Sequence, residues 1–203
     1  MKTTSFGEFS EFTCDQLGMK VSGEKNHKVV AAVGSIEESM NTKTVVKKYK
    51  GIEAKTRTKS DGTGEVKISA HVAYDTYIKI YGMDVEGLIK GVTAYGQDSV
   101  HKPFSITSLV LDEDDNKKLK AYPNVIIKEG KSGKIENGGE EVQEIELTIS
   151  VMPDEYGIGM YEALYDEMDV EMAKKWMSDF SPAWVHGADS PQQSTSDESV
   201  PTV

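Results

Sequence analysis

Glu65-Val66-Lys67-Ile68-Ser69-Ala70-His71-Val72 alternates strictly, with Val66, Ile68, Ala70 and Val72 on one face and Glu65, Lys67, Ser69 and His71 on the other. A period of two is the pattern of a half-buried strand. Upstream, residues 44–58 are rich in β-branched side chains and lysine, and Ser60-Asp61-Gly62-Thr63-Gly64 supplies turn formers between the two runs. The spacing predicts a long hairpin over 44–73. Arms of about ten residues at ~3.3 Å each reach past about 30 Å, more than the common strand of five or six. Part of the hairpin is therefore expected to project beyond its own domain or to join a neighbour's sheet. In its first arm Val45-Val46-Lys47-Lys48-Tyr49-Lys50 breaks the alternation, as at a bulge or an edge guarded by lysines.

Outward from the hairpin, Tyr74, Tyr77, Ile78 and Tyr81 recur at helical spacing and Gly82 follows as a stop, predicting a short helix. Strand-like runs recur at 87–95, 104–111 and 121–128. A clean alternation then sets Ile145, Leu147, Ile149 and Val151 against Glu144, Glu146, Thr148 and Ser150. Turn-forming residues at 112–116, 129–133 and 137–139 divide the runs. The expected class is mainly β: an antiparallel β-sandwich or barrel over 1–152, with a short flanking helix and a long projecting hairpin. Tyr161, Leu164, Tyr165, Met168, Met172 and Trp176 return at steps of three and four, predicting a helical C-terminal segment at 153–180, one helix or two, with Asp169 capping the second. Residues 181–203 hold neither Lys nor Arg, and their Ser, Pro, Gln and Thr content is that of an unstructured tail from about Gly187.

The 203 residues carry a net charge of −11, unevenly laid out. Lys43, Lys47, Lys48, Lys50, Lys55, Arg57 and Lys59 crowd into one short stretch with Glu53 as its one acid, whereas 139–171 holds eleven acids and no base. Such segregation suits identical copies that dock a positive element of one on a negative surface of the next. Taken alone, the layout is more simply a solvated surface, or pairing within one subunit, since charge runs usually are solvated. Arg57 is the one arginine, so the bidentate base and phosphate contacts of a sequence-specific nucleic-acid reader are almost absent. The single Cys14 excludes an intrachain disulfide, and His27, His71, His101 and His186 lack ligand spacing. Neither a membrane-spanning run nor a secretory h-region is visible, so a soluble chain made in a cytoplasm is expected, without cofactor or metal. The acids at 112–116 lack calcium-loop spacing and read as a turn. No nucleophile elbow, P-loop or zinc-protease signature occurs, and no residue stands out as catalytic.

The hairpin at 44–73, the run 74–82 with Met83 behind it, Lys120-Ala121-Tyr122-Pro123-Asn124-Val125, and Ile135-Glu136-Asn137-Gly138-Gly139-Glu140-Glu141-Val142 leading into the strand that ends at Met152 together resemble the major tail proteins, or tail tube proteins, of long-tailed bacteriophages. The resemblance covers roughly 29–163. It implies a structural virion protein: a β-sandwich that forms six-membered rings, stacked into a tube through which DNA passes without specific binding. Its partners would be further copies of itself and other tail proteins, in the host cytoplasm during assembly and in the virion tail afterwards. It also implies that Lys43, Lys47, Lys48, Lys50, Lys55, Arg57 and Lys59 contact the next subunit or ring. The strand at 65–73 would help line the inner barrel, and Glu140, Glu141, Glu144 and Glu146 would form a complementary surface. The chain from Asp154 onward departs from that family's minimal pattern, as outward decoration or as a surface for another virion protein. Two other classes fit the strands: a monomeric β-sandwich module binding a carbohydrate or surface partner, which calls for an aromatic patch at one end, and a small hydrolase, which calls for two carboxylates at working distance. Assembly state separates the three.

Overall fold

The long hairpin exists, but its turn lies elsewhere. In the computed structural model, which describes residues 9–30, 32–133, 137 and 143–187, β3 (Val33–Tyr49) runs into β4 (Ile52–Ala70) through Lys50-Gly51. Both turn residues have positive φ, 51° and 80°, the mark of a type I′ turn whose twist matches the flanking strands. Ser60-Asp61-Gly62-Thr63 is not the turn predicted for it. These residues sit inside β4, where 61–63 bulge opposite Asn41 between the pairs Met40↔Gly64 and Thr42↔Ser60. The Asp61 carboxylate closes the bulge by accepting from the Thr63 N–H at 3.1 Å and the Thr63 hydroxyl at 2.7 Å. Asp-Gly chemistry thus makes a local kink, while the pairing that resumes beyond it decides which strand partners which.

The other strands are β1 (Thr13–Val21), β2 (Lys28–Val29), β5 (Phe104–Leu111), β6 (Lys117–Ile127), β7 (Ile145–Val151) and β8 (Tyr161–Leu164). All belong to one antiparallel sheet in the order β2-β1-β5-β6-β7-β4-β3, with β8 on β6. The sheet curls until β1 and β3, at or near its two ends, approach each other. The mainly β, antiparallel class is as expected, in the form of one rolled sheet. Inside the roll, Leu17, Met19, Phe104, Ile106, Tyr122, Val125, Leu147, Ile149, Val66 and Ile68 pack with Tyr77, Ile80 and Tyr81 of α1 (Tyr74–Ile80). The alternations read at 65–70 and 145–151 face this core as predicted.

A second cluster covers the outer face of β5 and β6. There Leu109, Leu119 and Ala121 meet Ala173, Trp176, Phe180 and Trp184 from α2 (Val170–Asp179) and α3 (Pro182–Val185). Asp169 caps α2 as predicted, accepting from the N–H groups of Glu171 at 2.9 Å and Met172 at 3.3 Å.

Two further expectations are corrected. The first half of the predicted helix at 161–180 is strand β8, followed by a 3-10 turn at Tyr165–Glu167. β7 covers β6 only at Val125–Ile127, and the backbone groups left along Lys118–Ala121 take β8 as their partner. The run 87–95 is a loop, because Gly87 and Gly91 have φ of 86° and 88°, outside the range of a regular strand. The tail expected to be unstructured over 181–203 holds α3 in its first residues, where Trp184 joins the outer cluster, and residues 188–203 lie outside the described residues. Among those described, no helix is long and apolar enough to cross a membrane.

Candidate assembly interface

β4 pairs with β7 only over Gly64–Ala70. Beyond the bulge, residues 42–60 form a two-stranded ribbon that pairs only with itself. The register sets Lys43 opposite Lys59, Val45 opposite Arg57 and Lys47 opposite Lys55, and the pleat puts all six on one face. The other face carries Thr44 and Thr58, whose hydroxyls lie 3.0 Å apart, with Val46 and Thr56. All seven basic residues named from the sequence are exposed and share this ribbon and its turn.

Like charges placed directly opposite one another destabilise a strand pair by about 0.2–1 kcal/mol, so the ribbon is not optimised for its own subunit. Lys43 reaches Asp61 at 3.5 Å while remaining largely exposed, a pairing of small value. Among the described residues the other six cations form no ion pair. Beside them Val45, Tyr49 and Ile52 are about 70 % exposed. Lys50 holds its Nζ 5.6 Å from the centre of the exposed Tyr49 ring. Cations mostly free of ion pairs, interleaved with exposed apolar side chains, make a surface for a partner that is acidic and partly apolar.

Two devices hold the ribbon's base. At the bulge, Gly62 lies so close to the 153–159 loop that a Cβ there would meet the Gly157 carbonyl at 2.7 Å, and one on Gly159 would meet the Gly62 carbonyl at 2.1 Å. Asn41 adds a hydrogen bond from its amide to Thr63 at 3.0 Å. Farther along β3, Glu38 reaches across the seam of the rolled sheet to β6. Its carboxylate accepts from Lys120 Nζ at 2.7 Å and from the Tyr122 hydroxyl. Lys120, 4 % exposed, also meets Glu11 at 2.7 Å and Glu162 at 3.3 Å, and Lys118 meets Glu11 at 2.6 Å.

Electrostatics in this cluster follow from burial and pairing. Burial alone would lower the Lys120 pKa, but bonds to Glu11 and Glu38 outweigh it and hold the ammonium above its ordinary value. Burial likewise opposes ionisation of Glu11, and the two lysines reverse that and hold it below the usual carboxylate range. Burial first, then the adjacent Glu38 carboxylate, push the Tyr122 hydroxyl far up, so it stays a proton donor. Glu11, Glu38 and Glu162 bring one oxygen each within 4.8 Å of one another, a spacing that could hold a metal. Here two lysine ammoniums supply the countercharge, and the cluster works as a clasp between β3 and β6.

The acids expected to complement the lysines are placed apart from them. Glu146 sits opposite Ser69, and the Glu144 carboxylate accepts from the Ser69 hydroxyl at 2.6 Å, at the end of β4 remote from the turn. From Lys55 to Ser69 the strand extends roughly 40 Å, so Glu144 and Glu146 do not meet the ribbon of their own subunit. Glu140 and Glu141 lie outside the described residues. The clasp went unread in the sequence, although Lys118, Lys120 and Tyr122 alternate on one side of β6. Alternation assigns lysines to the solvent face, and only the rolled sheet turns that face toward Glu38.

Fold and interface together define a class: a single-sheet, mainly β protein that presents an unpaired basic ribbon beyond its core. No family model matches the chain, and no curated protein matches it.

Proposed function

We propose that this protein is a structural subunit that self-assembles into stacked rings forming the tail tube of a long-tailed bacteriophage, the conduit for its genome. One observation carries the reading: the ribbon at 42–60 extends past the sheet with six cations free of ion pairs among the described residues, while Glu144 and Glu146 stand at the opposite end of the same strand pairings. A positive end on the β3–β4 ribbon and a negative end at the start of β7 are satisfied when copies repeat head to tail, a heterologous contact that propagates. The sheet also exposes the long edge of β3, whose backbone groups can take a neighbour's strand. The acidic balance of the chain suits the wall of a DNA conduit, which guides phosphates without binding them.

Negative-stain electron microscopy of the concentrated protein, with light scattering for mass, tests the proposal. Rings or hollow tubes are expected. A strictly monomeric particle at every concentration and salt condition, including in the presence of preformed tail-tip complexes, overturns it and favours a monomeric binding module.

A further inference from the structure

Resting on that reading, we infer that the apolar tip of the ribbon docks on the loop at 83–94 of the next copy. The loop is a closed excursion: its ends are joined by the hydrogen bond from Ala94 N–H to the Met83 carbonyl at 3.2 Å, and Tyr74 of α1 reaches Thr93 at 3.3 Å. A loop built this way holds its shape while presenting its crest. The crest is apolar. Ile89 is 79 % exposed, with Leu88 and Val92 beside it, and Val100, 73 % exposed, lies over Gly82 at the loop's root. Exposed aliphatic residues clustered on a pinned loop mark a contact surface.

The occupant follows from position and charge. β4 begins next to the Lys50-Gly51 turn and ends at Ala70, and only His71, Val72 and Ala73 separate that end from the start of α1 at Tyr74, so ribbon tip and loop stand at opposite ends of one strand. A tip bearing Tyr49 and Ile52 therefore reaches such a loop only on another copy. Glu86 within the loop and Asp98 just beyond it are exposed and, among the described residues, in no ion pair, and Glu144 and Glu146 lie at the same end of β4. These acids suit Lys47, Lys50 and Lys55, which flank the tip. Lys90 on the crest is the one opposing charge, and Asp84 is already held by Lys102 at 2.6 Å. The contact is heterologous, apolar at its centre and charged at its rim, as stable interfaces are.

The test uses the full chain with its single cysteine removed, Cys14→Ser, and two batches carrying Tyr49→Cys or Ile89→Cys. Mixed, assembled and mildly oxidised, the batches are expected to yield a covalent dimer that neither batch yields alone. In a second variant with the cysteine retained, Ile89→Asp is expected to raise the concentration needed for assembly by about tenfold or more, the loss of one buried aliphatic contact, with an unchanged circular dichroism spectrum. Tubes that form normally from Ile89→Asp, without the mixed dimer, overturn this contact and leave the tail-tube reading standing. Absence of assembly in the unsubstituted chain overturns both. Loss of lipid-vesicle co-sedimentation in Ile89→Asp, with assembly unaffected, would reassign the crest to a membrane.

Discussion

Lys120 of β6 donates to Glu38 of β3 at 2.7 Å, joining strands at the middle and the edge of the sheet across the seam where it rolls over. The ammonium is the more deeply buried partner of this ion pair, because Lys120 is almost fully enclosed while Glu38 keeps contact with water. The ribbon begins only a few residues beyond Glu38, so this pair helps set the direction in which β3 leaves the sheet.

Removing the Lys120 ammonium leaves Glu38 without its cation and Glu11 and Glu162 with Lys118 alone. Lys120→Ala is expected to lower stability by about 3 kcal/mol, the low end for breaking a buried pair because the glutamates stay partly hydrated. Urea unfolding checks it. The pH dependence has two limbs. Glu11, held below its ordinary 4.5, contributes stability above that pH, lost as pH falls through its folded value. Lys120, held above 10.5, contributes below that pH, lost as pH rises through its folded value. Lys120→Met should weaken both limbs.

His27 is buried between β5 and α2, its ring nitrogens 2.9 Å from the Ser105 hydroxyl oxygen and 3.4 Å from the Ser178 carbonyl. Burial first, then Lys20, push its pKa from 6.5 down to about 4. The unfolded chain binds a proton there at higher pH than the folded one, so stability should fall as pH drops from 6.5 toward 4, by about 3 kcal/mol in all. His27→Gln should flatten the stability profile across that window, and a profile left unchanged would assign the acid sensitivity elsewhere.

Trp176 and Trp184, the chain's two tryptophans, both lie in the outer cluster with Phe180. Intrinsic fluorescence therefore reports the docking of α2 and α3 on β5 and β6. Phe180→Ala removes the ring packed 4.7 Å from that of Trp176 and 5.5 Å from that of Trp184. A red-shifted emission and a loss of about 3 kcal/mol are expected.

Charge reversal on the ribbon should separate assembly from folding. Lys47→Glu, Lys48→Glu and Lys50→Glu together are expected to abolish tubes while circular dichroism stays native, since all three side chains are exposed. Lys47→Glu alone replaces a like-charge pair with Lys55 by an opposite-charge one, and should raise hairpin stability by about 0.2–1 kcal/mol. Normal tubes from the triple variant would refute the complementarity of the two ends.

Features governed by neighbours in sequence were legible before the structure. The alternations of β4 and β7, the Asp112 turn between β5 and β6 and the Asp169 cap each depend on side chains acting within a few residues of themselves. Asp112 shows this plainly, its carboxylate accepting from the N–H groups of Asp114 at 2.9 Å and Asn116 at 2.8 Å. The concentration of cations in one stretch was equally visible as composition.

Where the choice lay between two locally acceptable conformations, only the tertiary structure decided. Asp61-Gly62 and Lys50-Gly51 are both turn formers, and the length over which β3 could pair made one a bulge and the other the turn. Tyr161–Leu164 carries helical spacing, yet it became a strand because the edge of β6 offered unpaired backbone groups whose burial without partners would have been costly. The Glu38–Lys120 clasp joins residues 82 positions apart. Local sequence sets which side of a strand a lysine occupies; the rolling of the sheet decides whether that side meets water or three glutamates.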